Sequence, residues 1–260
     1  DLRVQIHITR GNALGQSGDV DAAAVAFSDA LTAARRHGLA SSVIVATMNL
    51  GICHAMACRY GEALTHFAEA RAQADRLGWG DLRRVLDVNQ AEVERHVGLV
   101  AVAAGRLEPL VAAAGASARD PASVATRCTL AACRLAEGQI EAAVGLIAPV
   151  ADLADVAESP VAGRVGLVDA QVRLAEGTRA ARSVALARLQ QVARAAAASP
   201  HEQALAGAWL ATARLDDGDI TGAADALEHA HEALGRAASG AGEARMALAH
   251  ARYRVALASG

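Results

Sequence analysis

One stretch, GDVDAAAVAF at Gly18, returns in altered form as GQIEAAVGLI at Gly138 and as GDITGAADAL at Gly218. Between them, in the same phase, stand CRYGEALTHF at Cys58, GLVAVAAGRL at Gly98 and GTRAARSVAL at Gly177. The six landmarks are 40, 40, 40, 39 and 41 residues apart. A chain with such a period is not built round one central core. Each period is a supersecondary unit too small to bury its own apolar face, so it stacks on its neighbours.

The unit reads as two helices joined at the landmark. Asp120-Pro121, Ser159-Pro160 and Ser199-Pro200 each put a capping side chain before a proline. Such a side chain accepts backbone N–H bonds that a helix start leaves orphaned, and proline has no N–H to lose. Stepping back by forty residues reaches Asp81 after Gly80, and Ser41-Ser42. The landmark glycine ends the first helix in a left-handed conformation at little cost. Val45, Met48, Leu50, Ile52 and Met56 are apolar in the first helix of the second unit, and Ala63, Leu64, Phe67 and Ala70 recur at helical steps in its second. Ala23, Ala63, Ala143 and Ala223 each lie five residues after a landmark, where a small side chain lets two helices approach closely. Composition agrees: 53% of residues are hydrophobic, only 2% are aromatic, and alanine, the best helix former, supplies much of the rest.

The second unit, NLGICHAMACRYGEALTHFAEA, resembles a tetratricopeptide (TPR) repeat through Leu50, Gly51, Tyr60, Ala63, Phe67 and Ala70. The first unit matches at Gly11, Gly18, Ala23, Phe27 and Ala30. The period near 40 exceeds the usual 34 residues, and most aromatic positions are aliphatic. The resemblance implies an all-α, right-handed α-solenoid of about six helical hairpins plus a C-terminal capping helix. The units fall at 1–40, 41–80, 81–120, 121–159, 160–199 and 200–240, with a terminal helix at 243–258, in one superhelical domain over 1–260. In the terminal helix Met246, Ala249, Tyr253 and Ala256 form the expected packing stripe, with Arg245, Arg252 and Arg254 largely off it. This segment also resembles the TPR regions of actinobacterial CHAT-domain proteins and of large LuxR-type or other STAND ATPase regulators. The chain begins without methionine, so it reads as a piece of something longer.

Catalytic and metal chemistry is not expected. Every basic residue is arginine, so no P-loop, kinase or Schiff-base lysine is available. Cys53, His54, Cys58 and His66 are side chains that zinc prefers. They fall on repeat positions, however: Cys58 replaces a landmark glycine, and Cys53 and Cys133 each sit five residues before a landmark. His54 and Cys58 can share a helical face while Cys53 points elsewhere. Cys128 and Cys133, like Cys53 and Cys58, are five apart, which turns two thiols on one helix about 140° away from each other. Reduced, packed thiols are expected. His229 and His231 are two apart and diverge on a helix, His201-Glu202 lacks the second histidine of a zinc protease, and GQSGD lacks the flanking strand and glycine spacing of a nucleophile elbow. The net charge is −3 with dispersed arginines, so no nucleic-acid stripe is formed. No run spans a bilayer and the N-terminus lacks the apolar segment of a signal peptide; with reduced thiols, a cytoplasmic location is the expectation. No cofactor is expected.

Function is then expected on the concave face, lined by the first helix of each unit. The candidates are Gln5, Ile8, Asn12 and Gln16; Val45, Met48, Ile52 and Met56; Val88, Glu92, Arg95 and His96; Ala125, Cys128, Ala132 and Leu135; and Arg164, Leu167, Gln171 and Leu174. They make either a groove with an apolar floor for a peptide or protein segment, or a surface buried by tight winding. The first reading makes the chain a non-catalytic interaction scaffold or sensing arm. The alternatives are a regulatory region restraining a CHAT-type protease or a LuxR/STAND ATPase, and a small-molecule sensor with an apolar groove.

Overall fold

The structure, a computed structural model, describes residues 1–115, 118–156, 158–195, 198–236 and 241–259. Among them are thirteen α-helices and no strand. The first of each pair, called A, is followed by its partner B across the landmark: α1 (Leu2–Gln16) and α2 (Val20–Arg36), α3 (Ala40–Met56) and α4 (Tyr60–Leu77), α5 (Gly80–His96) and α6 (Val100–Ala114). Then come α7 (Pro121–Ala136) and α8 (Ile140–Ile147), α9 (Ala162–Glu176) and α10 (Arg179–Arg194), α11 (Pro200–Asp216) and α12 (Ile220–Arg236), and finally α13 (Gly242–Ala258). The chain divides into two compact units, Asp1–Arg106 with Ala238–Gly242, and Leu107–Ala237 with Glu243–Gly260.

Gly18, Gly98, Gly138, Gly177 and Gly218 all have positive φ, between 69° and 85°, as the turn requires. Cys58 holds the same conformation at φ 57°. A side chain there crowds the backbone and costs about 1–2 kcal/mol. Cys58→Gly is therefore expected to raise stability by about 0.5–1 kcal/mol, after the extra freedom glycine has when unfolded. Urea melts of the variant test this; a clear loss would mean that the contact of Cys58 Sγ with Tyr60 Oη, at 3.3 Å, outweighs the backbone strain.

Two core clusters fill the first unit. Val4, Ile8, Val20, Phe27, Leu31 and Leu50 build one between α1, α2 and α3. Ile44, Phe67, Leu86 and Val93 build the other between α3, α4 and α5. The alanines five after the landmarks, Ala23 and Ala63, are fully buried, as are Ala143 and Ala223 in the second unit. There a valine-rich cluster, with Val124, Val150, Val165 and Val172 around Ile147, binds α7 and α8 to α9.

Local details differ from the sequence reading in four places. Asp120 and Ser199 cap α7 and α11, the latter with a full capping box to Glu202. Ser159 does not cap α9, which starts later at Ala162, although its Oγ accepts from Val161 N at 3.4 Å. Ser41 and Asp81 lie inside the first turns of α3 and α5, since these helices start at Ala40 and Gly80. The reason is tertiary. Gly38 and Gly78 end the preceding helices at positive φ, and Leu39 and Trp79 then dock into the two cores, drawing the chain straight into the next helix. The eight-residue α8 gives way to a 3-10 helix over Ala148–Asp155, because Pro149 has no N–H for an α-helical bond. Finally, α13 buries Ala244, Leu248, Ala251 and Val255. The expected stripe is wrong: Met246 is 71% exposed and Tyr253 64%, and Ala249 and Ala256 are also exposed.

Candidate functional site on the A helices

Within the first unit α1 touches α3 and α3 touches α5, so three A helices stand side by side. The period of forty puts equivalent residues at equivalent places on each. With 100° of rotation per residue, positions 5, 9, 12 and 16 of α1 fall within about 60° of one another, a narrow stripe along the helix. On α1 these are Gln5, Thr9, Asn12 and Gln16, all exposed. On α3 they are Val45, Asn49, Ile52 and Met56, and on α5 Val85, Asn89, Glu92 and His96, all half-buried.

Two of the residues expected on the groove are buried instead. Ile8 and Val88, expected to line the groove, are 9% and 7% exposed; Ile8 packs in the core against α2. Met48, at the same register, is half-buried against the α3–α5 core. The residue on the stripe at this register is the next one, Thr9, Asn49 or Asn89. A polar residue recurring at a fixed register of an otherwise apolar helix could have revealed it. Among the described residues neither the Asn49 nor the Asn89 amide makes a hydrogen bond, so two donors and an acceptor stand ready on each.

The α5 end of the face is polar. Arg95 Nη2 donates to Glu92 Oε1 at 3.0 Å and lies 2.9 Å from His96 Nε2. The His96 ring stacks on Tyr60, with centroids 5.7 Å apart and planes at 9°. So Arg95 and His96 are ordered by neighbours and not merely solvated. A second stack, His54 on His66 at 5.1 Å, sits beside the α3–α4 turn. Arg59 Nε donates to His54 Nδ1 at 3.0 Å, and the same nitrogen lies 3.4 Å from Glu62 Oε2. Burial, with the Arg59 and His66 charges adding to it and Glu62 opposing, holds His54 below the ordinary imidazole value of 6.5. The sign follows: as pH falls through about 6.5 the unfolded chain takes up this proton before the folded one, so stability is lost on the acid side. Melting temperature is expected to fall from neutral pH to about pH 5.5, and less steeply in His54→Gln. An identical slope in the variant would assign the pH dependence elsewhere.

The cysteines are not in disulfides; Cys53, Cys128 and Cys133 are buried and Cys58 half-buried. Burial lifts the Cys53 thiol to about 11, against a small opposing pull from Arg59, so it stays protonated. In the second unit the A helices are buried on most faces: Cys128 and Leu167 are core residues. Ala125, Ala132, Leu135 and Leu174 are half-buried, as are Arg164 and Gln171 on α9. Arg164 donates to Thr129 Oγ1 at 2.7 Å. Each unit thus buries two of the expected residues in its core, Ile8 and Val88 in the first and Cys128 and Leu167 in the second, and leaves the others half-buried or exposed. No helix among the described residues is long and apolar enough to cross a membrane.

Neither a protein-family model nor a curated protein sequence matches the chain. Solved structures do. The Rap conjugation gene regulator of plasmid pLS20, in complex with the Phr* peptide, aligns with a TM-score of 0.70 at 15% identity, over 90% of this chain and 63% of that one. The present chain thus spans less than two thirds of that regulator. NprR in complex with its cognate peptide NprX gives a TM-score of 0.70 at 12% identity, over 98% and 74% of the two chains. A kinesin light chain from Podosopora anserina with nearly identical TPR-like repeats gives 0.51 at 23% identity, over 74% and 95%. At such identities the likeness concerns fold alone, and with the hairpin register described above it establishes that the chain has the fold of a TPR-like helical-repeat array.

Proposed function

We propose that the chain is a non-catalytic, peptide-binding regulatory array, and that its first unit binds an extended peptide or protein segment across α1, α3 and α5. The observation that carries this is the pair Asn49 and Asn89. They stand forty residues apart at one register of adjacent helices, with amides that the protein leaves unfilled. An extended peptide presents N–H and C=O groups that such amides pair with, whatever the peptide's sequence. Val45, Ile52 and Met56 beside them offer apolar contact for alternate side chains. Glu92, Arg95 and His96 add a polar end that orients the segment. Two of the similar structures hold peptides, which supports the same mode here.

The test is a selection of peptides from a random display library on the intact protein. Binders are expected, and Asn49→Ala with Asn89→Ala should weaken them about tenfold to thirtyfold, each lost hydrogen-bond pair contributing roughly 1 kcal/mol. Circular dichroism and melting should be unchanged, because neither amide supports the fold. Binding that survives the double substitution would remove this face from the reading.

A further inference from the structure

The second unit carries a cleft away from the A-helix stripe, with a volume of about 810 Å³. Its lining residues come from near two connections. Six residues separate the 3-10 helix from α9, 156 to 161, and five separate α10 from α11, 195 to 199. In the first unit the corresponding connections have three residues, 37 to 39, and two, 78 to 79. The walls are small and apolar: Ala154, Pro160, Ala162, Ala187, Ala195 and Ala198. A volume of this size matches sites for small organic molecules, about 300–1,000 Å³.

Polar groups in the walls are of two kinds. Some are occupied. Gln191 Nε2 donates to Ala154 O at 3.0 Å, and Glu202 Oε2 accepts from Ser199 N at 2.9 Å and Ser199 Oγ at 3.0 Å. Others are not. Among the described residues Glu158, Gln190 and Arg194 have no hydrogen bond or ion pair. An anion, an amide and a cation thus line one apolar cleft without neutralising one another. A fatty acid would satisfy only Arg194 and face Glu158; an apolar amine would do the reverse. The molecule that answers all three has a free ammonium, a free carboxylate, a peptide group and an apolar body.

We propose that this cleft binds a short apolar peptide with both termini free. Its ammonium faces Glu158, its carboxylate faces Arg194, its peptide group meets Gln190, and its side chains lie over the alanines. The site is separate from the A-helix face and reads the ends of a small ligand, where that face reads the backbone of a longer one.

Titration calorimetry on the intact chain with alanyl-leucyl-alanine tests this, beside its N-acetyl and C-amide forms. The free tripeptide is expected to bind, and each blocked form to bind about fivefold more weakly, as expected for loss of one partly exposed ion pair. Glu158→Gln and Arg194→Gln should each lose about the same factor for the free peptide. Each should also become indifferent to the block at its own end. The Asn49→Ala, Asn89→Ala double variant should bind the tripeptide normally. No binding at millimolar peptide, equal binding of blocked forms, or loss in the asparagine variant would each overturn the proposal.

Discussion

Replacing Asp87 by alanine is expected to destabilise the first unit by about 3 kcal/mol. The aspartate is only 7% exposed on α5, yet it serves guanidinium groups from three helices. Arg71 Nη1 of α4 lies 3.0 Å from Asp87 Oδ1, Arg106 Nη1 of α6 lies 3.1 Å from the same oxygen, and Arg83 Nε lies 3.8 Å from Oδ2. Arg106 also grips Glu94, which is 4% exposed: Nη2 donates to Oε1 at 2.6 Å and Nε to Oε2 at 3.0 Å. Hydrogen bonding to Glu94, more than the contribution of Asp87, raises the Arg106 value further above its ordinary level. Removing one member leaves the others desolvated and short of a counter-charge, which is what makes breaking a buried pair costly. Arg83 is half-exposed and contributes little through water-screened attraction. Arg106→Met should cost at least as much as Asp87→Ala, since it strands both carboxylates. The double variant should cost less than the two singles added, because Asp87 and Arg106 share one interaction. Urea unfolding of the three proteins, with hydrogen exchange followed on α5, measures this. A loss below about 1 kcal/mol in Asp87→Ala would show that the network is solvated and weak.

The architecture was legible because it is written many times over. One glycine at a turn means little, but landmarks at Gly18, Cys58, Gly98, Gly138, Gly177 and Gly218 fix helix, turn and helix together. Cys58 was legible for the same reason, since its positive φ follows from the column it occupies. What failed was information not carried by repetition. The starts of α3 and α5 are set by Leu39 and Trp79 docking into cores, a tertiary effect that overrides the capping serine and aspartate. The face of α13 was misread because an alanine-rich helix offers several apolar stripes. Met246 and Tyr253 drew attention by size, while the buried stripe runs through Ala244 and Ala251, which only the neighbouring helices select. Ile8 and Val88 were misread for a related reason. Position 8 is apolar in α1, α3 and α5, and apolarity cannot separate a groove floor from a core; Asn49 and Asn89 can, because a buried amide without a partner is costly. The charged pairs that join α4, α5 and α6 leave no mark in the repeat at all, because Asp87, Glu94 and Arg106 occur in that hairpin alone.

Gly51→Ala is expected to cost about 2 kcal/mol, although alanine favours helices over glycine by roughly 1 kcal/mol. The cause is a close approach repeated in two hairpins. A Cβ at Gly51 would stand 2.6 Å from Cε1 of the Phe67 ring, and one at Gly11 would stand 2.6 Å from Cε1 of Phe27. Phe67 is 1% exposed and Phe27 4%, so neither ring has open space to enter. Glycine and phenylalanine are therefore one choice, in which the flat ring fills the room the missing side chain leaves. At the same register the third hairpin has Ala91 with Leu107, and the fourth has Ala131 with Ile147. The array thus contains two solutions to the same packing problem. Converting the second hairpin from one to the other is the critical experiment. Phe67→Leu alone should leave a gap and cost about 1–2 kcal/mol. Gly51→Ala with Phe67→Leu should come within about 1 kcal/mol of the parent, because the new methyl occupies that gap. A favourable coupling between the two substitutions would establish that each hairpin chooses its pair as a unit. If the single losses merely add, the ring of Phe67 owes its place to the rest of the α3–α5 core, and Gly51 is only a tolerant neighbour.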